Sequence, residues 1–470
     1  MALSGADSGF PWPALHFVGV GGHSMSALAS ALARLGLQVS GSDVTASERT
    51  ARAERAGVRV FIGHDAANLA QLPPGAVVVR STDVPADNAE LVAAAARGLL
   101  VLHRSEVLDR FLRRPGALAI GVTGTHGKST TTSLVGLALL AGGADPTVFV
   151  GADVPFLEEG NHRLGSGRAV VAELDESDGS FLRYQPEIAV VTNAEPEHLE
   201  HYGGEFSAVL AAYRRFLSGP GRDGLAVLCA DAPDLAALGQ GLPHTVWYGL
   251  GPGADLTARD VELTRTGSRF TATLGGRELG SFRLGLKGLH NVQNALAAIA
   301  VAQHLDLDLG RVGQALDGFT GATRRFQVLA ERGGVTVVDD YAHHPSEIRQ
   351  TLAAARTSRP GRVLAIFQPH RYQRTRQLWD AFGPAFADCD LLLLTEIYAP
   401  AGEPALPGVD ARSLGERIAR ESGREVRFIP DPRCLVEECL HLVRPGDLVL
   451  VMGAGSITEV AHALAARLAG

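Results

Sequence analysis

The stretch GVTGTHGKSTTT, residues 121–132, constrains the chain more than any other. An apolar run, LAIGV, leads into it, and SLVGLALLAG follows at helical spacing. A buried strand that ends in glycines and opens into a helix gathers backbone N–H groups and the positive helix end at one point, as a bound phosphate requires. The spacing is not that of G-x-x-x-x-G-K-[ST]: Val122 stands where the first glycine belongs, and Gly121 is one residue early. Written as G-T-x-G-K-[ST]-T the run fits without a gap. Lys128 is one of two lysines in the chain, with Lys287, against a background of arginine. A slim ammonium enters a tight loop where a planar guanidinium does not. Lys128 is therefore expected to meet the β/γ-phosphates of a nucleoside triphosphate, with Gly124 and Gly127 closing around them and Ser129 holding Mg²⁺.

At 470 residues the chain exceeds one typical core. Three blocks separate by pattern. The first has strands at 15–20 (LHFVGV), 37–43 (LQVSGSD) and 76–82 (AVVVRST). The second starts near RRPGALAIGVTG, with strands at 168–174, 187–192 and 225–229 and a polar, antiparallel stretch over 250–284. The third begins at RRFQ, with strands at 335–339, 362–367, 391–395 and 447–451. Alternation of β and α segments predicts an α/β chain of mainly parallel, doubly wound sheets with sites at the carboxyl ends of strands. Net charge is −8, which disfavours a nucleic-acid partner. No apolar run approaches the roughly 20 residues of a membrane helix. The N-terminus lacks a basic, then apolar, leader, so a cytoplasmic protein is expected. Cys229, Cys389, Cys434 and Cys439 lack paired C-x-x-C spacing and read as free thiols.

Acidic residues supply the partner for a metal. Glu173 stands at the end of a buried strand in AELDESDGSF, with Asp175, Glu176 and Asp178 behind it. Such a run is commonly a solvated loop; the phosphate loop nearby favours Glu173 as a ligand. Asn193 and His198 follow the next strand, in TNAEPEHLEHYG, and adjacent parallel strands end at one edge. His198 would suit Mn²⁺ better than Mg²⁺. In the first block GVGGHS, with Asp43 ending the second strand, reads alone as a degraded dinucleotide fingerprint, compatible with an NAD-dependent oxidoreductase. Its helix N-terminus serves any nucleotide diphosphate. Ser24 is expected to cap that helix.

Taken together, HFVGVGGHSMSALA, QVSGSD, GVTGTHGKSTTT, ELDESDGSFL, VTNAEPEHLEHYG, GLHNVQNALAAIA, RRFQ, VDDYAHHPSEI, FQPHRYQRT and VLVMGAGSI resemble the motifs of the Mur ligases, in order along nearly the whole chain. The resemblance implies an N-terminal Rossmann-like domain for a UDP-sugar (1–114), a central P-loop ATPase domain with a mainly parallel sheet (115–322) and a C-terminal Rossmann-like domain (323–470). It implies ATP- and Mg²⁺- (or Mn²⁺-) dependent joining of L-alanine to the lactyl carboxylate of UDP-N-acetylmuramate by a monomer or weak homodimer. The related tripeptide-recycling ligases carry Glu-Tyr-Asp where this chain has ESD.

By the same resemblance Lys128, Glu173 and His198 are catalytic, and Ser129, Glu173 and His198 hold the metal. ATP would meet Gly124, Thr125, His126, Gly127, Lys128, Ser129 and Thr130, with His290, Asn291 and Asn294 on the adenine side and Arg325 and Asp340 on phosphate and ribose. Gly21, Gly22, His23, Ser24, Met25, Asp43, Ser81 and Asn193 would meet the UDP-sugar. Tyr341, His343, Arg371 and Arg374 would meet the amino acid. The chain departs from the family at GGHSMS (usually G-G-A-G-M-S), at STDV (usually S-S-A-I) and at TNAEPEH (usually T-N-I-D-x-D-H).

Overall fold

The computed structural model describes residues 9–218, 224–358, 360–400 and 403–469. Contacts gather the chain into two compact units. One comprises residues up to Arg259 with Thr271–Phe282 and Gln293–Asp317; the other comprises Asp260–Phe270, Arg283–Val292 and the chain from Gly318 onward.

Among the described residues, three sheets carry the fold. The first is wholly parallel, in the order Arg59–Ile62, Gln38–Asp43, Ala14–Val18, Val77–Arg80, Leu100–His103. The strand order reverses between Ala14–Val18 and Val77–Arg80, so a crevice opens at their carboxyl ends. The first strand is shorter than the apolar run suggests: Gly19 takes φ +80 and turns the chain out of the sheet after Val18.

The second sheet has ten strands. At its centre Leu118–Thr123 runs parallel to Ala169–Glu173 on one side and Ile188–Val191 on the other. The phosphate loop, the acidic segment and the Asn193 segment therefore leave the sheet side by side. Gly121 belongs to the strand, not to the loop. A Cβ there would meet Leu174 Cδ1 at 2.5 Å, so a packing contact demands this glycine. Three strands, Leu256–Leu263, Ser268–Leu274 and Arg277–Leu284, continue one edge. The two-residue Gly275–Gly276 turn makes the last two antiparallel, as the polar alternation predicts.

The third sheet runs Gln327–Arg332, Val335–Asp340, Asp447–Met452, Arg362–Phe367, Leu391–Leu394, Glu425–Phe428. All its pairs are parallel except the first, a hairpin with a bulge between Val328 and Ala330. The two strands that the sequence does not disclose, Gln327–Arg332 and Glu425–Phe428, are the edges, where exposed polar residues mask the apolar pattern. The inner strands are apolar on both faces because helices cover both. Val338, Val363, Ala365 and Phe367 pack to one side, and Val337, Leu364 and Ile366 to the other. All four cysteines are free, and among the described residues no helix is long and apolar enough to cross a membrane.

Phe367 is fully buried between Phe382 and Phe386, with ring centroids at 5.7 and 5.3 Å. Phe367→Ala should destabilise the second unit by about 3–5 kcal/mol. Denaturant unfolding followed by fluorescence reads this directly, and a shift below about 1 kcal/mol would contradict the packing.

Candidate functional site

In the first unit the first glycine loop meets the helix His23–Arg34. Gly22 is the N-cap, with no side-chain cap, because its extended backbone (φ −64, ψ 149) already starts the helix. Ser24 therefore lies inside the first turn and is not the cap that its residue type suggests. Met25 is buried in the core. Asp43 Oδ2 accepts from Gly21 N at 2.8 Å, and Arg49 Nε donates to Gly21 O at 2.6 Å, so both edges of the loop are gripped. Arg49 NH1 lies 3.4 Å from His23 Nε2, and Asn161 Nδ2 donates to His23 O at 2.7 Å. Ser81 lies in the turn after Val77–Arg80, across the switch point; Thr82, beside it, donates to Asp178 Oδ2 at 2.6 Å.

The phosphate loop forms because two glycines take backbone angles that side chains resist. Gly124 has φ +135, and a Cβ would collide with Thr192 Oγ1. Gly127 has φ +79, caps the helix Lys128–Ala141, and leaves room for Asn294 Oδ1. Neighbouring side chains hold the loop. The Asn193 amide is spent on the backbone of His126, accepting from its N–H at 2.8 Å and donating to its carbonyl at 3.1 Å. It braces the phosphate loop. Thr192 Oγ1 donates to His126 O at 2.6 Å, and Thr125 Oγ1 accepts from Glu195 N at 2.9 Å. The His126 ring lies 3.5 Å from Glu195. Asn294 Oδ1 accepts from Thr131 Oγ1 at 3.1 Å. Ser129 and Thr130 are buried in the first helical turn.

Lys128 Nζ donates to Gly124 O (2.6 Å), Thr125 O (3.1 Å) and Glu176 Oε1 (3.0 Å). Burial pushes its pKa down, but Glu176, Asp175 and Glu173 push it further up, so it stays charged. Burial lifts Glu176 to about 7 against the pull of Lys128. The two shifts have different causes: carboxylates crowd the ammonium, whereas burial, with Asp175 adding to it, lifts Glu176. The ammonium keeps its proton, and the most buried carboxylate gives up charge first. Asp175 falls to about 2, because Arg104 and then Lys128 overcome its burial. Ser129 Oγ lies 3.1 Å from Glu173 Oε1, and Gly151 N donates to Glu173 Oε2 at 2.7 Å. A hydroxyl and a carboxylate side by side are hard oxygen donors of the kind Mg²⁺ takes. His198 adopts φ +56, a costly angle for a non-glycine, and its Nδ1 lies 3.9 Å from Glu200.

In the second unit, a second cluster surrounds the carboxyl ends of Val335–Asp340 and Arg362–Phe367. Both Asp340 oxygens are engaged, by Phe326 N and Ala342 N at 2.7 Å each, and burial lifts its pKa to about 6. Arg325 lies 3.5 Å from Glu347 and 5.4 Å over the Tyr341 ring. His343 Nδ1 is 3.0 Å from Tyr341 O and 3.4 Å from Glu347. Arg374 NH1 lies 3.1 Å from His370 Nδ1, and His370 stacks on Tyr398 at 5.3 Å. Arg371 takes φ +69, and its guanidinium makes no ion pair among the described residues. Arg324 and Phe326, in the same cluster, also take positive φ. His290 lines a cavity of about 410 Å³ with Gly288, Arg349 and Asp388, and burial lowers its pKa to about 4. Asn291 Nδ2 donates to Lys287 O at 2.8 Å. His290, Asn291 and Asn294 all lie inside the helix Leu289–His304, so none is its N-cap.

Arg104, Asn161, Glu176 (as the Lys128 partner), His370 and Tyr398 are the additions that sequence reasoning missed. Arg104 had a signal, since it follows directly on the parallel strand Leu100–His103. His370 stands beside Arg371 in FQPHRYQRT.

Asn193→Ala should weaken nucleoside triphosphate binding about tenfold with the fold intact, because the His126 amide loses its partner. Calorimetry reads it, and an affinity within twofold of wild type would remove Asn193 from the loop's support. His162, behind the first loop, has its pKa lowered to about 4, by burial and then by Arg34 and Arg52. The unfolded chain takes up this proton near pH 6.5, so the stability His162 contributes is whole above 6.5 and lost as pH falls through about 4. His162→Phe, which keeps the stack on Phe149 (6.3 Å, 7°), should flatten that limb of the thermal stability curve between pH 7 and 4.5. An unchanged limb would refute the assignment.

Three family profiles match in order: Mur ligase family, catalytic domain, over residues 14–115; Mur ligase middle domain over 122–302; and Mur ligase, glutamate ligase domain, over 324–455. The chain is 49% identical over 462 residues to the UDP-N-acetylmuramate–L-alanine ligase of Symbiobacterium thermophilum, covering 97% of this chain and 94% of that protein. It is 46% identical to the ligase of the same name from Sorangium cellulosum, covering 97% and 96%. The crystal structure of the UDP-N-acetylmuramate–alanine ligase of Thermotoga maritima superposes with a TM-score of 0.82 at 31% identity, over 96% of this chain and 98% of that one. These matches run through both glycine loops, the acidic segment and the Arg325–Arg374 cluster, and the chain belongs to the Mur ligase family.

Proposed function

We propose that this chain is an ATP-dependent ligase that joins L-alanine to the lactyl carboxylate of UDP-N-acetylmuramate, in peptidoglycan precursor synthesis. The observation that carries the reading is Lys128, held charged in a glycine loop beside the Ser129–Glu173 oxygen pair, in a chain similar along 97% of its length to ligases of that name. A carboxylate is a poor acyl donor. Attack of a carboxylate oxygen on the γ-phosphorus of ATP expels ADP and leaves an acyl phosphate. The alanine amine then attacks the carbonyl carbon, loses a proton and expels phosphate. No protein nucleophile is needed, so the chain's work is positioning and charge neutralisation.

In this reading Lys128 leaves Glu176 for the β/γ-phosphates, and the amides of Gly124–Thr130 line the triphosphate. Ser129 and Glu173 hold a divalent ion, which lowers the repulsion between triphosphate and carboxylate; His198 is the third ligand by family resemblance. Arg371 and Arg374, with Tyr341 and His343, meet the amino acid, and the unpaired Arg371 guanidinium suits its carboxylate. Arg325 and Asp340, with His290, Asn291 and Asn294, belong to the nucleotide side. Residues 1–114, 115–322 and 323–470 are the three domains, and the enzyme works in the cytoplasm.

Phosphate release should depend jointly on ATP, UDP-N-acetylmuramate and L-alanine. Lys128→Ala should abolish it while UDP-N-acetylmuramate still binds. Release without either acceptor substrate, or near-native turnover of the variant, would overturn the reading.

A further inference from the structure

We propose that Arg104 binds the lactyl carboxylate of the sugar nucleotide, and so is the residue by which this chain tells UDP-N-acetylmuramate from a sugar nucleotide lacking that acid. The assignment rests on the substrate reading above. A cavity of about 220 Å³ in the first unit is lined by the first residues of the two helices that follow the glycine loops. His23 and Ser24 line it on one side, Lys128 and Glu173 on another, and Arg104 and Asp175 complete its polar wall. A sugar whose diphosphate meets the first loop and whose carboxylate meets the γ-phosphate must cross this space.

Among the lining residues, only Lys128 and Arg104 carry a fixed positive charge. Lys128 is held by Gly124 O, Thr125 O and Glu176, and in the reading above it passes to the phosphates when ATP binds. Arg104 remains. It opens the helix Arg104–Leu112, directly after the parallel strand Leu100–His103, with its side chain 14% exposed. Its NH2 donates to Asp175 Oδ2 at 2.8 Å and lies 3.8 Å from Asp178. Its Nε and NH1 have no hydrogen-bond partner among the described residues. A guanidinium carries five N–H donors in a rigid fork, so it keeps Asp175 and still presents an edge to a second carboxylate. Asp175 thus fixes the orientation of Arg104 rather than exhausting it. A carboxylate entering so enclosed a place without a cation would be strongly disfavoured.

The alternative is that Arg104 only ties the helix Arg104–Leu112 to the acidic segment. Equilibrium binding without ATP, with chelator present, separates the two. The probes are UDP-N-acetylmuramate and UDP-N-acetylglucosamine, which has a hydroxyl where the lactyl ether stands. Arg104→Gln should weaken the first at least tenfold and change the second by less than twofold. Arg104→Lys should recover part of the difference. UDP-N-acetylglucosamine binding also reports that the variants are folded. Equal loss of both ligands, or unchanged UDP-N-acetylmuramate binding, would overturn the role of Arg104 alone. Wild type that binds neither sugar nucleotide would overturn the substrate reading and the assignment with it.

Discussion

One ammonium organises the first unit. Lys128 lies within hydrogen-bond reach of two loop carbonyls and Glu176, with Asp175 and Glu173 close enough to raise its pKa. Without ligand, this arrangement keeps the loop compact: the carbonyls that would repel a phosphate are already turned toward a cation. It also concentrates negative charge where a triphosphate must arrive. The compensating positive charges are Lys128, Arg104 and the helix N-terminus, and a divalent ion on the Ser129–Glu173 oxygens would add to them. The site is built to be occupied by charge of both signs at once.

The glycine loops do not hold themselves. Each takes its shape from side chains on neighbouring elements: Asp43, Arg49 and Asn161 for the first, Thr192, Asn193 and Asn294 for the second. The parallel sheets make this possible, because adjacent strands deliver their loops to one edge. The second unit follows another device. Arg324, Phe326 and Arg371 hold positive φ, which costs energy at each position and persists only where surrounding contacts enforce it. Arg324 and Phe326 bond the backbone of Tyr341 and the carboxylate of Asp340, and Arg371 bonds the backbone of Tyr398.

The sequence disclosed what rests on backbone chemistry. Glycines followed by Lys128 and Ser129, and long apolar runs such as RVLAIF, are legible because a loop of that shape or a doubly covered strand admits little else. Side-chain partnerships were harder to see. Asn193 reads as a ligand-facing residue, yet its amide faces the loop; nothing along the chain distinguishes a polar group that binds substrate from one that binds backbone. Ser24 has the residue type of a cap, but Gly22 starts the helix two residues earlier. The edge strands Gln327–Arg332 and Glu425–Phe428 are too polar to show a period. The pairings of Arg104 with Asp175 and of Glu176 with Lys128 arise only when strands distant in sequence become neighbours.

The order of strands bears on how the chain is made. In the first sheet the earliest strand, Ala14–Val18, lies at the centre, so each later strand can add outward as it emerges from the ribosome. The third sheet is the reverse. Its last strand, Asp447–Met452, lies between Val335–Asp340 and Arg362–Phe367 and pairs with both. Until that segment is synthesised the two halves of the sheet have no common neighbour, and their apolar edges stay open to other chains. The first sheet can mature early in translation, whereas the third must wait until residues 447–452 have been made. A nascent chain stalled shortly before residue 447 would present an unfinished groove, open between Val335–Asp340 and Arg362–Phe367 and shaped for a single strand.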